Sequence, residues 1–219
     1  MLILHVGYEL LHRYSFNDGT AIDSVGGSAY AGSLIAGATV TGNQATFATN
    51  GPYVSLPSGV FGAYTAVSVE AWVTTGVNSN WTRIFQFGAS STSNSNSMTV
   101  CRCNDAATCS LGNIEFSWRR SDGTTSSYST SIAFNGQTNL HLVMTVTEGH
   151  YARLYINGLL AGMIRVVVSP LPPANVFYVG NSLATGNQLI GSVDEIRLWG
   201  GALSAAEVAS HYSQGPSKI

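Results

Sequence analysis

The chain has 219 residues and a formal net charge of −2; 45% of its residues are hydrophobic and only 9% are charged. This balance excludes an intrinsically disordered chain and offers no basic footprint for nucleic acid or an anionic membrane surface. No apolar run in the sequence approaches the ~18 residues a spanning helix needs, so no membrane insertion by a helix is expected. The length suits one undivided β-sandwich, and residues 1–219 read as a single domain.

In chain order, the opening "MLILHVG" is too short and too poorly flanked for a signal peptide. "LHRYSF" reads as the first strand and runs into a Gly-rich loop, "FNDGTAIDSVGG", that carries Asp18 and Asp23. Strand signals then recur about every ten residues, the spacing of a sandwich. They are "YVSLP", "AVSVEAWVTT", "TRIFQFG", "NIEFSWRR", "LHLVMTVT", "ARLYING", "LLAGMIRVVV", "VFYVG" and "SVDEIRLW". Ahead of "NIEFSWRR" lie the polar loop "GASSTSNSNS" and the cluster "CRCNDAATCS". Cys101 and Cys103 are too close in sequence to bridge comfortably, so one of them is expected to pair with Cys109 and leave an odd thiol. A zinc site there lacks a fourth ligand, and no histidine lies nearby.

Alternation assigns faces. Ile114, Phe116 and Trp118 oppose Glu115, Ser117 and Arg119; Leu140, Leu142, Met144 and Val146 oppose His141, Val143, Thr145 and Thr147. Two antiparallel sheets facing each other across one core account for both patterns. Trp72 and Trp118 are expected in that core, as large aromatics usually are. Asn157–Gly158 is the strongest hairpin signal, because both central positions of a type I′ turn need positive φ. "SPLPPAN" is a stiff connection between strands. In the closing strand, Asp194, Ile196 and Leu198 should face one way and Val193, Glu195, Arg197 and Trp199 the other. Ser204 and Glu207 then form a capping box, with Leu203 and Val208 placed as a hydrophobic staple. A short helix from about Ala205 to His211 follows, with Trp199 expected to pack beneath it.

This ordered series resembles the laminin-G-like jelly-roll domains of the concanavalin A-like lectin/glucanase superfamily. "LLHRYSFNDGTAIDSVGG" resembles the opening strand and loop, and "NQATFATNGPYVSLP" the next strand pair. "AVSVEAWVTT" resembles the strand carrying a tryptophan, and "NLHLVMTVTEGHYARLYINGLLAG" a hairpin usually introduced by Trp-His-His, here Leu140-His141-Leu142. "GSVDEIRLWGGALSAAEVASHY" is similar to the most specific motif of the family. "SNSNSMTVCRCNDAATCSLG" matches no part of the pattern. The fold implied is all-β: a two-sheet antiparallel jelly-roll sandwich with one short C-terminal helix. The resemblance also implies a structural calcium (Ca2+) between the opening loop and the closing strand, on Asp18, Asp23 and Asp194, which match those positions in type.

Catalysis is not expected. The Glu-x-Asp-x-x-Glu of sandwich hydrolases and the Gln-x-His of sandwich lyases are missing, and Glu70, Glu115 and Glu148 stand alone on their strands. For sugar binding, aromatic rings stack on apolar sugar faces while Asn, Asp and Arg hold hydroxyls. Trp81 and Arg83, then Arg119, Arg120, Asp122 and Tyr128, then Tyr178 and Asn181 are the residues of suitable type near loops. The reading is a non-catalytic carbohydrate-binding or adhesion-type module, extracellular or at the cell surface, with a glycan or an extracellular protein as partner. A structural or protein-interaction domain without a sugar site is the alternative. A glycoside hydrolase whose acids converge from separate strands comes third.

Overall fold

Alternating side chains separated by Gly- and Asn-rich turns give fifteen strands among the described residues, because each turn breaks the ladder before a strand grows long. The structure, a computed structural model, describes residues 7–49, 51–103, 111–166, 171–183 and 187–218. In chain order the strands are β1 (Glu9–Tyr14), β2 (Ser33–Ile35), β3 (Thr39–Thr41), β4 (Gln44–Phe47), β5 (Tyr53–Leu56), β6 (Ala66–Thr75), β7 (Arg83–Gly88) and β8 (Ser97–Arg102). They continue as β9 (Asn113–Arg119), β10 (Thr125–Ala133), β11 (Leu140–Thr147), β12 (Tyr151–Ile156), β13 (Leu159–Arg165), β14 (Val176–Val179) and β15 (Gly191–Gly200), before helix α1 (Ala205–Gln214).

Two antiparallel sheets form the jelly-roll sandwich that the sequence predicts. The back sheet runs β13-β12-β11-β6-β15-β4-β3, with β1 beside β15, and the front sheet runs β10-β9-β8-β7-β14-β5-β2. Between them lies a core of Val67, Val69, Ala71 and Val73 from β6, Leu140, Leu142, Met144 and Val146 from β11, and Phe85, Phe116, Trp118 and Phe177 from the front sheet. Each Val, Leu, Met or Phe among them, fully buried, contributes roughly 1.5–3 kcal/mol of transfer free energy. The predicted alternation of β9 and β11 is therefore correct. The Asn157–Gly158 turn is also observed, with φ of 49° and 80° between β12 and β13.

Three expectations need correction. The register of β15 slips between Val193 and Glu195, so Asp194 is a bulge residue. The extra residue moves Val193 to the core face with Ile196 and Leu198, instead of with Glu195, Arg197 and Trp199. Secondly, α1 runs past His211 to Gln214 and stops where Gly215, at φ 78°, donates its N–H to the His211 carbonyl. Its capping box and staple form as predicted, and Leu203 and Val208 pack on Trp199. Thirdly, Trp72 is buried on the outer side of the back sheet, against the ring of His141 at 4.5 Å and the guanidinium of Arg197 at 4.6 Å, while Trp118 is in the core.

The stretch that matches no family pattern supplies β8, a central strand of the front sheet. Cys103 is disulfide-bonded and Cys101 is the free, buried thiol; Cys109 lies outside the described residues, as do 1–6 and the start of the proline-rich connection at 169–170. No helix among the described residues is long and apolar enough to cross a membrane.

Candidate functional site

The two sheets present very different outer faces. On the back sheet, β6, β11 and β15 send Glu70, His141, Arg197 and Trp199 outward, and α1 with the C-terminal segment covers them. Glu70 is completely buried. It accepts hydrogen bonds from His141 Nε2 at 2.9 Å, His211 Nδ1 at 3.1 Å and Trp199 Nε1 at 3.0 Å. Arg197 is equally buried, pairs with Glu195 and donates to the carbonyls of Pro216 at 2.6 Å and Lys218 at 2.5 Å. Most polar groups of this face are bonded to one another, although His141 Nδ1 and Arg197 Nη1 are buried without a hydrogen-bond partner among the described residues, and α1 closes the face off from solvent.

The front sheet is open. Its register sets the outward residues in rows: Arg83, Cys101, Glu115 and Ser129 across β7 to β10, then Tyr178, Gln86, Thr99, Ser117 and Ser127, then Ser97, Arg119 and Thr125. Together with Trp81 and Asn94, most of these residues line a cavity of about 300 Å³. Its floor is fixed by hydrogen bonds. Gln86 donates to Asn94 Oδ1 at 3.2 Å and Ser97 Oγ at 3.1 Å, and accepts from the Leu183 N–H at 3.1 Å. Trp81 stands at the rim, 38% exposed and with φ of 60°, and Arg83 lies 5.6 Å from its ring centroid and donates to its carbonyl. Burial pushes the Cys101 thiol up to about 12, with Arg83 lowering it and Glu115 raising it, so it is a protonated wall residue and not a nucleophile.

Of the residues proposed for sugar contact, Trp81, Arg83 and Arg119 come together in this cavity. Tyr178 shares the face one strand beyond Gln86 and packs on Tyr53 at 4.8 Å. Burial, then Tyr53, raises its phenol above the usual range. Asn181 begins the neighbouring loop and accepts the Ser182 N–H at 2.8 Å. Arg120 lies over the Trp118 ring at 4.8 Å, and Asp122 is engaged by Thr124 within the β9–β10 turn. Tyr128 faces the other way, toward Phe116 and over Gly162, where a Cβ would collide with its ring. Gln86, Asn94, Ser97, Thr99 and Glu115 line the same cavity without a local sequence signal for sugar contact, although the alternation of β9 puts Glu115 and Ser117 on the face of Arg119.

The three acids proposed for calcium do not converge. Asp18 is exposed and accepts from the N–H and hydroxyl of Thr20. Asp23 is buried; Oδ1 accepts the N–H groups of Arg13, Val25 and Gly26, and Oδ2 lies 2.5 Å from His12 Nδ1. Asp194 faces Gln44 at 3.5 Å, and burial, then Glu195, raises its carboxyl above the usual range. Among the described residues no group of three or more His, Cys, Asp or Glu is arranged to hold a metal ion. The tie from the last strand to the first is made instead by Glu195, which accepts from Arg13 at 2.7 and 2.9 Å.

Two comparisons with solved structures agree on the fold. Domain 4 of AbnA, a GH43 extracellular arabinanase from Geobacillus stearothermophilus, solved with arabinotriose, superposes with a TM-score of 0.64 at 19% identity, over 93% of this chain and 98% of that one. The ligand-binding domain of botulinum neurotoxin serotype D, solved with N-acetylneuraminic acid, gives 0.65 at 17% identity, over 94% of this chain and 50% of that one. This chain thus spans about half of the botulinum domain. None of the curated protein sequences compared with it matches. A sandwich of this topology, with 48–209 matched by the family model, belongs to the concanavalin A-like lectin/glucanases superfamily.

Proposed function

We propose that this chain is a non-catalytic carbohydrate-binding module whose ligand lies on the outer face of the front sheet. The observation that carries the reading is the cavity itself. It is a fixed polar floor of Gln86, Thr99 and Ser117 with an exposed indole at its rim, which suits the hydroxyls and the apolar face of a sugar. The arabinotriose and N-acetylneuraminic acid held by the two similar structures support the same class of ligand. A hydrolase needs two carboxyl groups across the scissile bond. Glu115 is the one carboxylate among the described residues that line this cavity, and Glu70 is buried on the opposite sheet. The disulfide at Cys103 fits an oxidising compartment, so the module works outside the cell or at its surface. A structural calcium on Asp18, Asp23 and Asp194 is not required by this reading.

The test is a glycan array followed by a reducing-sugar assay on every ligand found. Binding without turnover is expected, and Trp81→Ala should weaken it by roughly tenfold or more, as loss of an aromatic anchor does. Turnover abolished by Glu115→Gln would make the protein an enzyme and overturn the reading. Binding that Trp81→Ala and Ser117→Ala leave unchanged would move the site off this face.

A further inference from the structure

The cavity has an electrostatic character beyond its polarity. Arg83 and Arg119 both line it, against Glu115 as the single acid among the described lining residues, which leaves one net positive charge among them. Arg83 is only 7% exposed, yet among the described residues its guanidinium donates one hydrogen bond, from Nη1 to the Trp81 carbonyl. Its Nε is buried with no partner at all. An arginine carries five donors, and leaving them unmade in a desolvated site is costly. Arg119 is exposed at the far end of the cavity and forms no hydrogen bond or ion pair among the described residues.

We infer that the site selects glycans bearing an anionic group, a carboxylate or a sulfate, with Arg83 and Arg119 as the recognising residues. The inference rests on the proposed carbohydrate-binding role and names its ligand class. A guanidinium fork matches the paired oxygens of either oxyanion, which a neutral hydroxyl cannot reproduce. Spacing adds a second constraint. Arg83 pairs across to Cys101, Cys101 to Glu115, and Arg119 follows four residues along β9. Two strand spacings and four residue rises separate the two arginine backbones by roughly 16 Å. With both side chains reaching inward, that span fits a short oligosaccharide better than a single sugar.

The experiment is an array that pairs each uronic-acid, sialic-acid and sulfated oligosaccharide with its carboxyl-reduced or desulfated counterpart, followed by titration calorimetry of the best pair. The acidic member should bind roughly tenfold or more tightly, the value of a charge-assisted hydrogen bond, and its advantage should shrink as salt rises. Which half of the array responds decides between carboxylate and sulfate. Arg119→Gln, at an exposed position, should remove most of the preference for the acidic member. Arg83→Lys, which keeps charge but not the fork, should reduce it too. Neutral members bound as well as acidic ones would overturn the inference and leave the carbohydrate-binding role standing. An array with no bound glycan would sink both.

Discussion

Glu70 illustrates how one residue ties several elements together. Burial alone pushes its carboxyl up, but hydrogen bonds from His141 and His211 and the charge of Arg197 outweigh that and hold its pKa at about 2. The folded value lies below the ordinary one of 4.5. Its contribution to stability is therefore complete above the ordinary value and is lost as pH falls from there toward 2. The melting temperature of the wild type should drop through that window. Glu70→Gln should cost about 3–5 kcal/mol at neutral pH, as removing one partner from a buried charged set does. The variant should also flatten the acid limb of the melting curve. An acid limb as steep in Glu70→Gln as in the wild type would assign the acid sensitivity to other carboxylates. Glu70 is on a strand that reads as half polar, and nothing local reveals that α1 returns to cover it; the fact is tertiary.

At the scale of elements, the opening loop is closed by Asp23, which draws His12 and three backbone N–H groups onto one carboxylate. Both oxygens of Asp23 are thereby engaged within the loop. Melting curves in calcium and in chelator should therefore superimpose, and Asp23→Asn should lower both by about 1–3 kcal/mol, the cost of an unmet buried hydrogen bond. A calcium-dependent rise that Asp23→Asn erases would show that the loop rearranges around the metal. The ten strands with strong period-two alternation or β-branched runs were legible in the sequence, as were the Asn157–Gly158 turn and the capping box, because each rests on local chemistry. The edge strands β2 and β3, only three residues each, carry too few side chains for a period to register. Strand β10, "TSSYSTSIA", has few apolar residues and pairs through its backbone with β9. The bulge at Asp194 was hidden because one inserted residue reverses every later face while the sequence still alternates. The site was legible in part for the same reason. Trp81, Arg83 and Arg119 have the right chemistry by type, but Gln86, Asn94 and Ser97 become a floor only when β8, unrecognised in the sequence, pairs between β7 and β9.

For the molecule as a whole, the sandwich divides its labour between two outer faces. The back face is sealed by α1 and the C-terminal segment over Glu70, Arg197, Trp199 and Tyr155, so its polar groups serve stability. The front face keeps its polar groups for the cavity. The sheets pack about 10 Å apart with side chains directed oppositely, and groups at that separation that share no partner contribute additively within about 0.3–0.5 kcal/mol. A glycan bound to the folded state at a hundredfold excess over its Kd should add about 2.7 kcal/mol. Arg197→Met removes the bonds to Glu195, Pro216 and Lys218 beneath the C-terminal segment and should lower stability by several kcal/mol, on the order of a broken buried ion pair. The increment from glycan should nevertheless be the same in the variant as in the wild type, read as equal shifts of the urea midpoint at an unchanged slope. A smaller increment in Arg197→Met would mean that the sealed face transmits to the open one through the core, and that closure of the C-terminal segment is part of ligand binding.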